Sequence, residues 1–389
     1  MVELAVILAG GRGERVRPVT DIIPKALIPI NGIPILSHQI SQLERVGIKD
    51  VIVLTGYLSE SIEKYCRKRF HSINVKCIAS DPAYSPAERL LASKEIIGDE
   101  FLLVYCDNLA SSDMEIKSAL NGSSPVTFLL ESRSEGNIEI LSDKTAIYHV
   151  GNRNSKYAFV EMGNICIKSK SFFETLSVCQ DLPATLESIS KEYKCNFVIT
   201  KNEILSISNL DRYLSLQKDR SMVILDRDGV LVKKMEKRKY LTSIQEYEPI
   251  ERNWEGLLKL SNLGVDFLIA TNQPGIALGE VDPEFLSEFH QILASDLLDF
   301  GIRVLSIYIC PHHWDDECGC RKPKPGMLLQ AIEDFHLKGK KTVYIGDDDR
   351  DLEAAISAGI PGILLGGEHS QKYKYSDLLS AMFEVTELL

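Results

Sequence analysis

The stretch Val223-Ile224-Leu225-Asp226-Arg227-Asp228-Gly229-Val230 most constrains what this chain can fold into. Its apolar, partly β-branched start reads as a buried strand, which delivers two carboxylates one residue apart into a turn marked by Gly229. Aspartates crowded at the end of a buried strand lose hydration and repel each other, so an unpaired pair is costly unless a cation or a phosphate chemistry uses it. Two readings fit this fragment: a nucleophilic aspartate beside a proton-handling one, or a strand followed by an ordinary Asp-Gly turn.

The chain has 389 residues, more than one growing hydrophobic core supports, which predicts two domains. Hydrophobic content of 44% with 25% charged residues excludes disordered and fibrous classes. A formal net charge of -11 argues against a broad nucleic-acid or anionic-membrane surface, while leaving room for a local basic phosphate pocket. No apolar run approaches the roughly 18 residues of a membrane span. The opening Met-Val-Glu-Leu-Ala-Val-Ile-Leu-Ala-Gly-Gly reads as a first strand and not as a signal peptide, so the expected location is cytoplasmic. Six cysteines, Cys66, Cys77, Cys106, Cys166, Cys179 and Cys195, lack framework spacing and suit reduced thiols.

In the front half, an apolar strand from Val2 to Leu8 empties into Gly10-Gly11-Arg12-Gly13-Glu14-Arg15, followed by Pro18, Thr20 and Pro24-Lys25. Glycines after a strand let backbone N–H groups approach a polyphosphate, and Arg15 and Lys25 can neutralise its charge. The spacing Gly-Gly-x-Gly-x-Arg-x-x-Pro-x-Thr and then Pro-Lys resembles the sugar-1-phosphate nucleotidyltransferases. Leu36, Ile40, Leu43 and Val46 have helical spacing, ended by Gly47, and Val51 to Leu54 reads as the next strand, a βαβ order. A third strand, Phe101 to Tyr105, ends in Cys106-Asp107-Asn108. The resemblance implies that Asp107 binds magnesium there; a plain Asp-Asn turn is the other reading. Short alternating runs between Val126 and Ile167 suggest strands framing a sugar pocket, with Glu161 to Asn164 at its rim.

Two departures from that family stand out. Where relatives carry a Leu-Gly-Thr-like turn that reads the base, this chain has Tyr84-Ser85-Pro86-Ala87-Glu88-Arg89. The run Leu205-Ser206-Ile207-Ser208-Asn209-Leu210 lacks the second metal aspartate common in the family. A non-catalytic binding or scaffolding domain therefore stays open beside a transferase.

Asp211 to Arg220 reads as a last helix and a charged connection, with no Gly/Ser-rich or Pro-rich linker. The boundary is expected between residues 217 and 218, giving domains 1–217 and 218–389 held close by a short connection. After Asp228, a second apolar strand ends in Thr271-Asn272-Gln273; further on come Arg321-Lys322-Pro323 and Val343-Tyr344-Ile345-Gly346-Asp347-Asp348-Asp349-Arg350-Asp351. In this order they resemble the four motifs of the haloacid dehalogenase-like phosphatases. The resemblance implies that Asp226 attacks phosphorus and that Asp228 protonates the leaving oxygen and then activates water. Thr271 and Lys322 would hold the phosphoryl group. Asp226, Asp347 and the main-chain carbonyl of Asp228 would hold Mg2+, with Asp351 behind them; Asp348 stands where relatives often carry a basic or small polar residue.

Three of the nine cysteines fall within Cys310-Pro311-His312-His313-Trp314-Asp315-Asp316-Glu317-Cys318-Gly319-Cys320. Three thiolates and an imidazole suit tetrahedral Zn2+, and four protein ligands leave no open position, so the site is expected to be structural. Cys310, His312, Cys318 and Cys320 are the expected ligands, with His313 as the other histidine available and a redox pair as the competing reading. Thr-Asn-Gln with Cys-x-His and Cys-x-Cys-Arg-Lys-Pro resembles the D-glycero-D-manno-heptose 1,7-bisphosphate 7-phosphatases, and histidinol-phosphate phosphatases share much of it. From Met222 to about Gly367 the resemblance is nearly continuous, and the tail reads as a closing helix.

The expected fold is α/β: two Rossmann-like three-layer domains, an N-terminal nucleotidyltransferase fold and a C-terminal haloacid dehalogenase-like fold with a zinc loop. The expected function is a bifunctional enzyme taking the 7-phosphate from a heptose 1,7-bisphosphate and joining heptose 1-phosphate to a nucleoside triphosphate, GTP being the expected donor. Gly10, Gly11, Gly13, Asn272 and Arg321 are expected substrate contacts, and Arg15 and Lys25 catalytic groups. Sugar phosphates and a nucleoside triphosphate are the expected partners, without nucleic acid or membrane, and a homo-oligomer is left open.

Overall fold

The computed structural model describes residues 2–151, 153–217, 220–236, 239–366 and 374–389. Lys218 and Asp219, at the expected domain boundary and within the charged connection, lie outside the described residues, as does Gly367. The chain divides into two compact units, residues 1–20 with 24–213 and residues 21–23 with 214–389.

In the first unit, strand Leu4–Ala9 runs parallel to Asp50–Thr55 on one side and to Glu100–Tyr105 on the other, and Asn74–Ala79 extends the parallel part. Parallel pairs need crossovers, and the helices Ile35–Arg45 and Ser59–Arg69 supply two of them. Ile35–Arg45 buries Ile35, Leu36, Ile40 and Leu43, the apolar stripe legible in the sequence. Beyond Glu100–Tyr105 the nine-stranded sheet turns antiparallel: Phe159–Lys168 pairs with Glu100–Tyr105 and with Val126–Ser132. The first strand starts at Leu4 and not at Val2, because Leu4 is the first residue with a ladder partner, Asp50. Tyr157 and Ala158 precede strand Phe159–Lys168. Leu8 pairs with both Leu54 and Tyr105, so the chain leaves neighbouring strand ends near Gly10 and Asp107 at one sheet edge.

In the second unit, five parallel strands lie in the order Val304–Cys310, Asp266–Asn272, Met222–Leu225, Thr342–Gly346, Gly362–Leu364. Met222–Leu225 is buried throughout, as expected for a strand covered on both faces. It is also first in sequence and third in space, so the strand order reverses around it; ligands bind at such a point, outside the carboxyl ends of the strands. Helix Pro283–Phe300 shows how local chemistry sets an element: Asp282 caps the Glu284 N–H at 2.9 Å, proline opens the first turn, and Gly301 closes the helix in the left-handed region. The expected closing helix is Leu378–Leu388, tied to helix Glu251–Asn262 by Arg252 Nε on Asp377 Oδ2 at 2.6 Å and by Leu378 N–H on Asn253 Oδ1 at 2.8 Å.

Candidate functional site

In the second unit, Leu225 pairs with Ile269 and Ile345, so Asp226, Thr271 and Asp347 emerge from three adjacent strand ends. Asp226, Asp347 and Asp351 bring carboxylate oxygens within 4.8 Å of one another. Lys322 Nζ lies 2.8 Å from Asp226 Oδ1 and 2.8 Å from Asp351 Oδ1, and also donates to Ala270 O and Tyr344 Oη at 2.9 Å. Asp226 Oδ1 accepts the Arg227 N–H at 2.8 Å as well, so its hydrogen bonds fall on one oxygen and leave Oδ2 for another partner. Burial pushes the Asp226 carboxyl up to about 7 against the pull of Lys322. Asp347 is likewise raised by burial, and its Oδ1 is buried without a hydrogen-bond partner. A buried carboxylate oxygen left unpaired is what a cation seat requires, so the residues present fit a divalent ion.

Asp351 is occupied differently. It stands in the first turn of helix Asp349–Ala358, where its Oδ2 accepts the N–H groups of Asp347 and Asp348 at 3.0 and 3.1 Å, and Oδ1 accepts Tyr344 Oη–H at 3.1 Å. It therefore orients the strand end and Lys322. Asp348 caps the same helix and is paired with Arg350 Nε at 2.9 Å, which with the Arg350 N–H holds its carboxyl down to about 2. The negative charge at Asp348 is thus matched two residues later, and Arg350 lines the same pocket.

Asp228 is gripped by groups that the sequence reading had not assigned. Arg227 donates to both its oxygens, at 2.9 to 3.1 Å, and Gln273 Nε2 donates to Asp228 Oδ2 and Thr271 Oγ1, each at 2.9 Å. The buried guanidinium sits over the Phe289 ring and meets His290 Nε2 at 3.0 Å. Burial, with Arg227 beside it, holds His290 well below its usual range, so the ring is neutral and accepts. Asn272, expected as a substrate contact, lines the pocket but spends its amide on the Lys322 backbone: Oδ1 accepts the Lys322 N–H at 3.0 Å and Nδ2 donates to Lys322 O at 3.1 Å. Arg321 is placed beside the cysteine loop, lining a cleft of about 290 Å³ with Trp314, Lys324 and Arg350.

Cys310, His312, Cys318 and Cys320 form one cluster. Their contacts are 3.7 Å for Cys310 Sγ with His312 Nδ1 and with Cys318 Sγ, 3.5 Å for Cys318 with Cys320, and 3.2 Å for His312 Nδ1 with Cys320 Sγ. Ligands about 2.0–2.3 Å from a tetrahedral ion lie about 3.3–3.8 Å apart, so the spacing matches a metal seat, while a disulfide needs about 2.05 Å. His313 is not in the cluster; its Nδ1 instead accepts the Asp315 N–H at 3.3 Å.

In the first unit, Gly10, Gly11, Gly13, Arg15, Lys25 and Asp107 line one cavity of about 770 Å³. Gly13 is left-handed at φ 66°, opening the short turn Glu14–Val16, and Thr20 Oγ1 donates to its carbonyl at 3.0 Å. Lys25 Nζ sits 2.6 Å from Asp107 Oδ2. Tyr84, Ser85 and Arg89 join the wall; Ser85 caps helix Pro86–Ala92. The Arg89 guanidinium is buried, donating to Thr55 O at 2.9 Å, to Gly10 O and Pro82 O at 3.1 Å, and to Ser80 Oγ. Ile207 N–H donates to Asp107 O at 2.8 Å, which brings the carboxylate-free run 205–210 beside Asp107. Asp181 lines the cavity from the cap of helix Leu182–Glu192. Glu161, at a slip in the strand ladder, is pushed up to about 7 by burial.

Comparison with known proteins separates the halves in the same way. Residues 4–124 match the nucleotidyl transferase family and residues 319–384 the HAD-hydrolase-like family. Over 146 residues, 38% of this chain, it is 39% identical to the D-glycero-beta-D-manno-heptose-1,7-bisphosphate 7-phosphatase of Pseudomonas aeruginosa, covering 81% of that protein. The chain belongs to the heptose-1,7-bisphosphate 7-phosphatase family. The D-glycero-alpha-D-manno-heptose-1,7-bisphosphate 7-phosphatase of Photorhabdus laumondii is 33% identical over 181 residues, 43% of this chain and 96% of its own length. The crystal structure of D,D-heptose 1,7-bisphosphate phosphatase from B. bronchiseptica with magnesium and phosphate is similar over 43% of this chain and 99% of its own, with 28% identity and a TM-score of 0.39. This chain thus carries a nucleotidyl transferase domain ahead of its phosphatase domain. Among the described residues, no helix is long and apolar enough to cross a membrane.

Proposed function

We propose that the chain is a bifunctional cytoplasmic enzyme of nucleotide-activated heptose synthesis. Residues 218–389 remove the 7-phosphate of D-glycero-D-manno-heptose 1,7-bisphosphate. Residues 1–217 join the heptose 1-phosphate product to a nucleoside triphosphate, with GTP as donor, and release pyrophosphate. The observation that carries this reading is the convergence of Asp226, Asp228, Thr271 and Lys322 on one strand-end pocket in a chain with a second, glycine-lined cavity.

In the phosphatase step Asp226 Oδ2 attacks phosphorus. The bond to the sugar oxygen breaks as Asp228 gives that oxygen its proton, leaving an aspartyl-phosphate. Asp228, now ionised, takes a proton from water; the hydroxide attacks the same phosphorus, releasing inorganic phosphate and restoring Asp226. Arg227 and Gln273 hold Asp228 in place for both steps, and Thr271 and Lys322 hold the phosphoryl oxygens. Asp226, Asp347 and the carbonyl of Asp228 would hold magnesium, which would supply positive charge to the phosphoryl oxygens. Cys310, His312, Cys318 and Cys320 would hold zinc, which would stiffen the loop that carries Arg321 and Lys322. In the front unit, Gly10, Gly11 and Gly13 present backbone to the triphosphate. Arg15 and Lys25 neutralise charge as the sugar phosphate oxygen attacks the α-phosphorus, with Asp107 as a magnesium ligand.

A scaffold reading of the front unit is favoured by one feature, the absence of a carboxylate in the run beside Asp107. The deciding assay incubates the full chain with α or β heptose 1,7-bisphosphate, or with histidinol phosphate, and each nucleoside triphosphate. Phosphate release from a heptose bisphosphate followed by pyrophosphate release with GTP is expected. Preference for histidinol phosphate sinks the substrate assignment, and failure to release pyrophosphate with any of the triphosphates leaves the scaffold reading.

A further inference from the structure

Lys234 lines the phosphatase pocket, and the mechanism above gives it no role. Its Nζ lies 2.6 Å from Asp347 Oδ2, across the carboxylate whose Oδ1 is buried and unpartnered. Its neighbour Lys322 cannot change place easily: that side chain is 3% exposed and is bound to Asp226, Asp351, Ala270 O and Tyr344 Oη. Lys234 is 46% exposed on a long arm, and it lines the same pocket as Asp226, Thr271 and Lys322.

Local backbone makes this contact possible. The bridge between Asp228 and Val232 folds the segment after the catalytic strand back over Gly229, which is left-handed at φ 91°. A Cβ on Gly229 would stand 1.9 Å from Asp347 Oδ2 and 2.9 Å from Lys234 Cε. Only a residue without a side chain leaves room for the ammonium to lie on Asp347 there.

We propose that Lys234 is a resident counter-ion of the metal seat. Its ammonium neutralises Asp347 while no ion is bound, a divalent cation displaces it, and the freed ammonium then faces the phosphate in the same pocket. Two positive charges cannot share one carboxylate edge without repulsion, and the exposed, flexible partner is the one that moves. Lys234 is thus a positioning residue that sets how tightly the seat takes its ion. The proposal rests on the reading of Asp347 as a magnesium ligand.

The test uses the unmutated full chain. An acetylating reagent needs the neutral amine, so an ion-paired lysine reacts slowly. Modification of Lys234 is read by peptide mass spectrometry across a Mg2+ titration, with exposed Lys338 as reference. Lys234 is expected to react about tenfold faster at saturating Mg2+, while the Lys338 rate stays constant. In Asp347→Asn it should react fast with or without Mg2+. If Asp347→Asn leaves Lys234 as slow as in the unmutated chain, the counter-ion role is overturned and the metal reading stands. If Asp347→Asn is fast but Mg2+ never alters the unmutated chain, Asp347 is not a magnesium ligand, and the reading beneath the proposal fails with it.

Discussion

The strand-end pocket of the phosphatase unit and the glycine-lined cavity of the front unit both handle phosphate, yet they manage charge in opposite ways. In the former, five aspartates, Asp226, Asp228, Asp347, Asp348 and Asp351, are matched by Lys322, Arg227, Lys234 and Arg350 in short contacts. In the latter, an ion pair, Lys25 with Asp107, faces a cavity lined in part by glycines. A covalent mechanism needs a nucleophile and a proton carrier held within fractions of an ångström, which takes a dense network. Nucleotidyl transfer needs chiefly space for a triphosphate and a few cations near it, so a sparse site suffices. One pocket is built to react and the other to align.

The comparison breaks most sharply at the nucleophile. Asp226→Asn is expected to lower phosphate release from heptose bisphosphate by about 10⁴-fold or more, with pyrophosphate release from supplied heptose 1-phosphate unchanged. Loss of both activities in that variant would end the two-site description. In the other unit, Lys25→Met should reduce pyrophosphate release by roughly 10²- to 10³-fold and spare the phosphatase, checked by the same pair of assays.

The cluster of Cys310, His312, Cys318 and Cys320 makes a stability prediction. Elemental analysis should find about one zinc per chain, and Cys318→Ser should lose it and destabilise the phosphatase unit by about 3 kcal/mol in denaturant unfolding. Full zinc occupancy in that variant would remove Cys318 from the ligand set. The smallest effect concerns Glu161. Its carboxyl rises from 4.5 to about 7 because burial disfavours the charge. The folded state therefore keeps a proton that the unfolded state gives up, so this group's stabilising contribution is full below pH 4.5 and is lost as pH rises toward 7. Glu161→Gln escapes that loss. Relative to the unmutated chain it should gain on the order of 2 kcal/mol between pH 5 and pH 8, and a pH-independent difference would show that Glu161 titrates normally.

Much of this was legible in the chain. Asp226, Thr271 and Asp347 could be placed at strand ends because buried parallel strands are short apolar runs and the polar residue at the end of each must surface at the same sheet edge. The cysteine loop was legible because metal ligands crowd into short, uneven spacings. Arg227, Gln273, Lys234 and Arg89 were not. Arg227 stands between two aspartates and carries no local signal, yet it turns inward to His290 and grips Asp228. Arg89 sat in a turn that merely departed from the family's pattern, yet it binds three backbone carbonyls from separate segments. Asn272 shows the converse: its position beside Thr271 suggested substrate, and the fold assigns its amide to Lys322.

The sequence by itself determined which chemistries are present and in what order, because motif residues are fixed by covalent neighbours and by the period of the elements that carry them. Only the tertiary structure decided which oxygen of Asp226 is left without a hydrogen bond, which carboxylate has an unfilled oxygen, and which lysine lies on it. Those outcomes depend on long side chains meeting from distant points of the chain, Lys322 on Asp226 and Lys234 on Asp347, and no local pattern encodes where such a side chain ends.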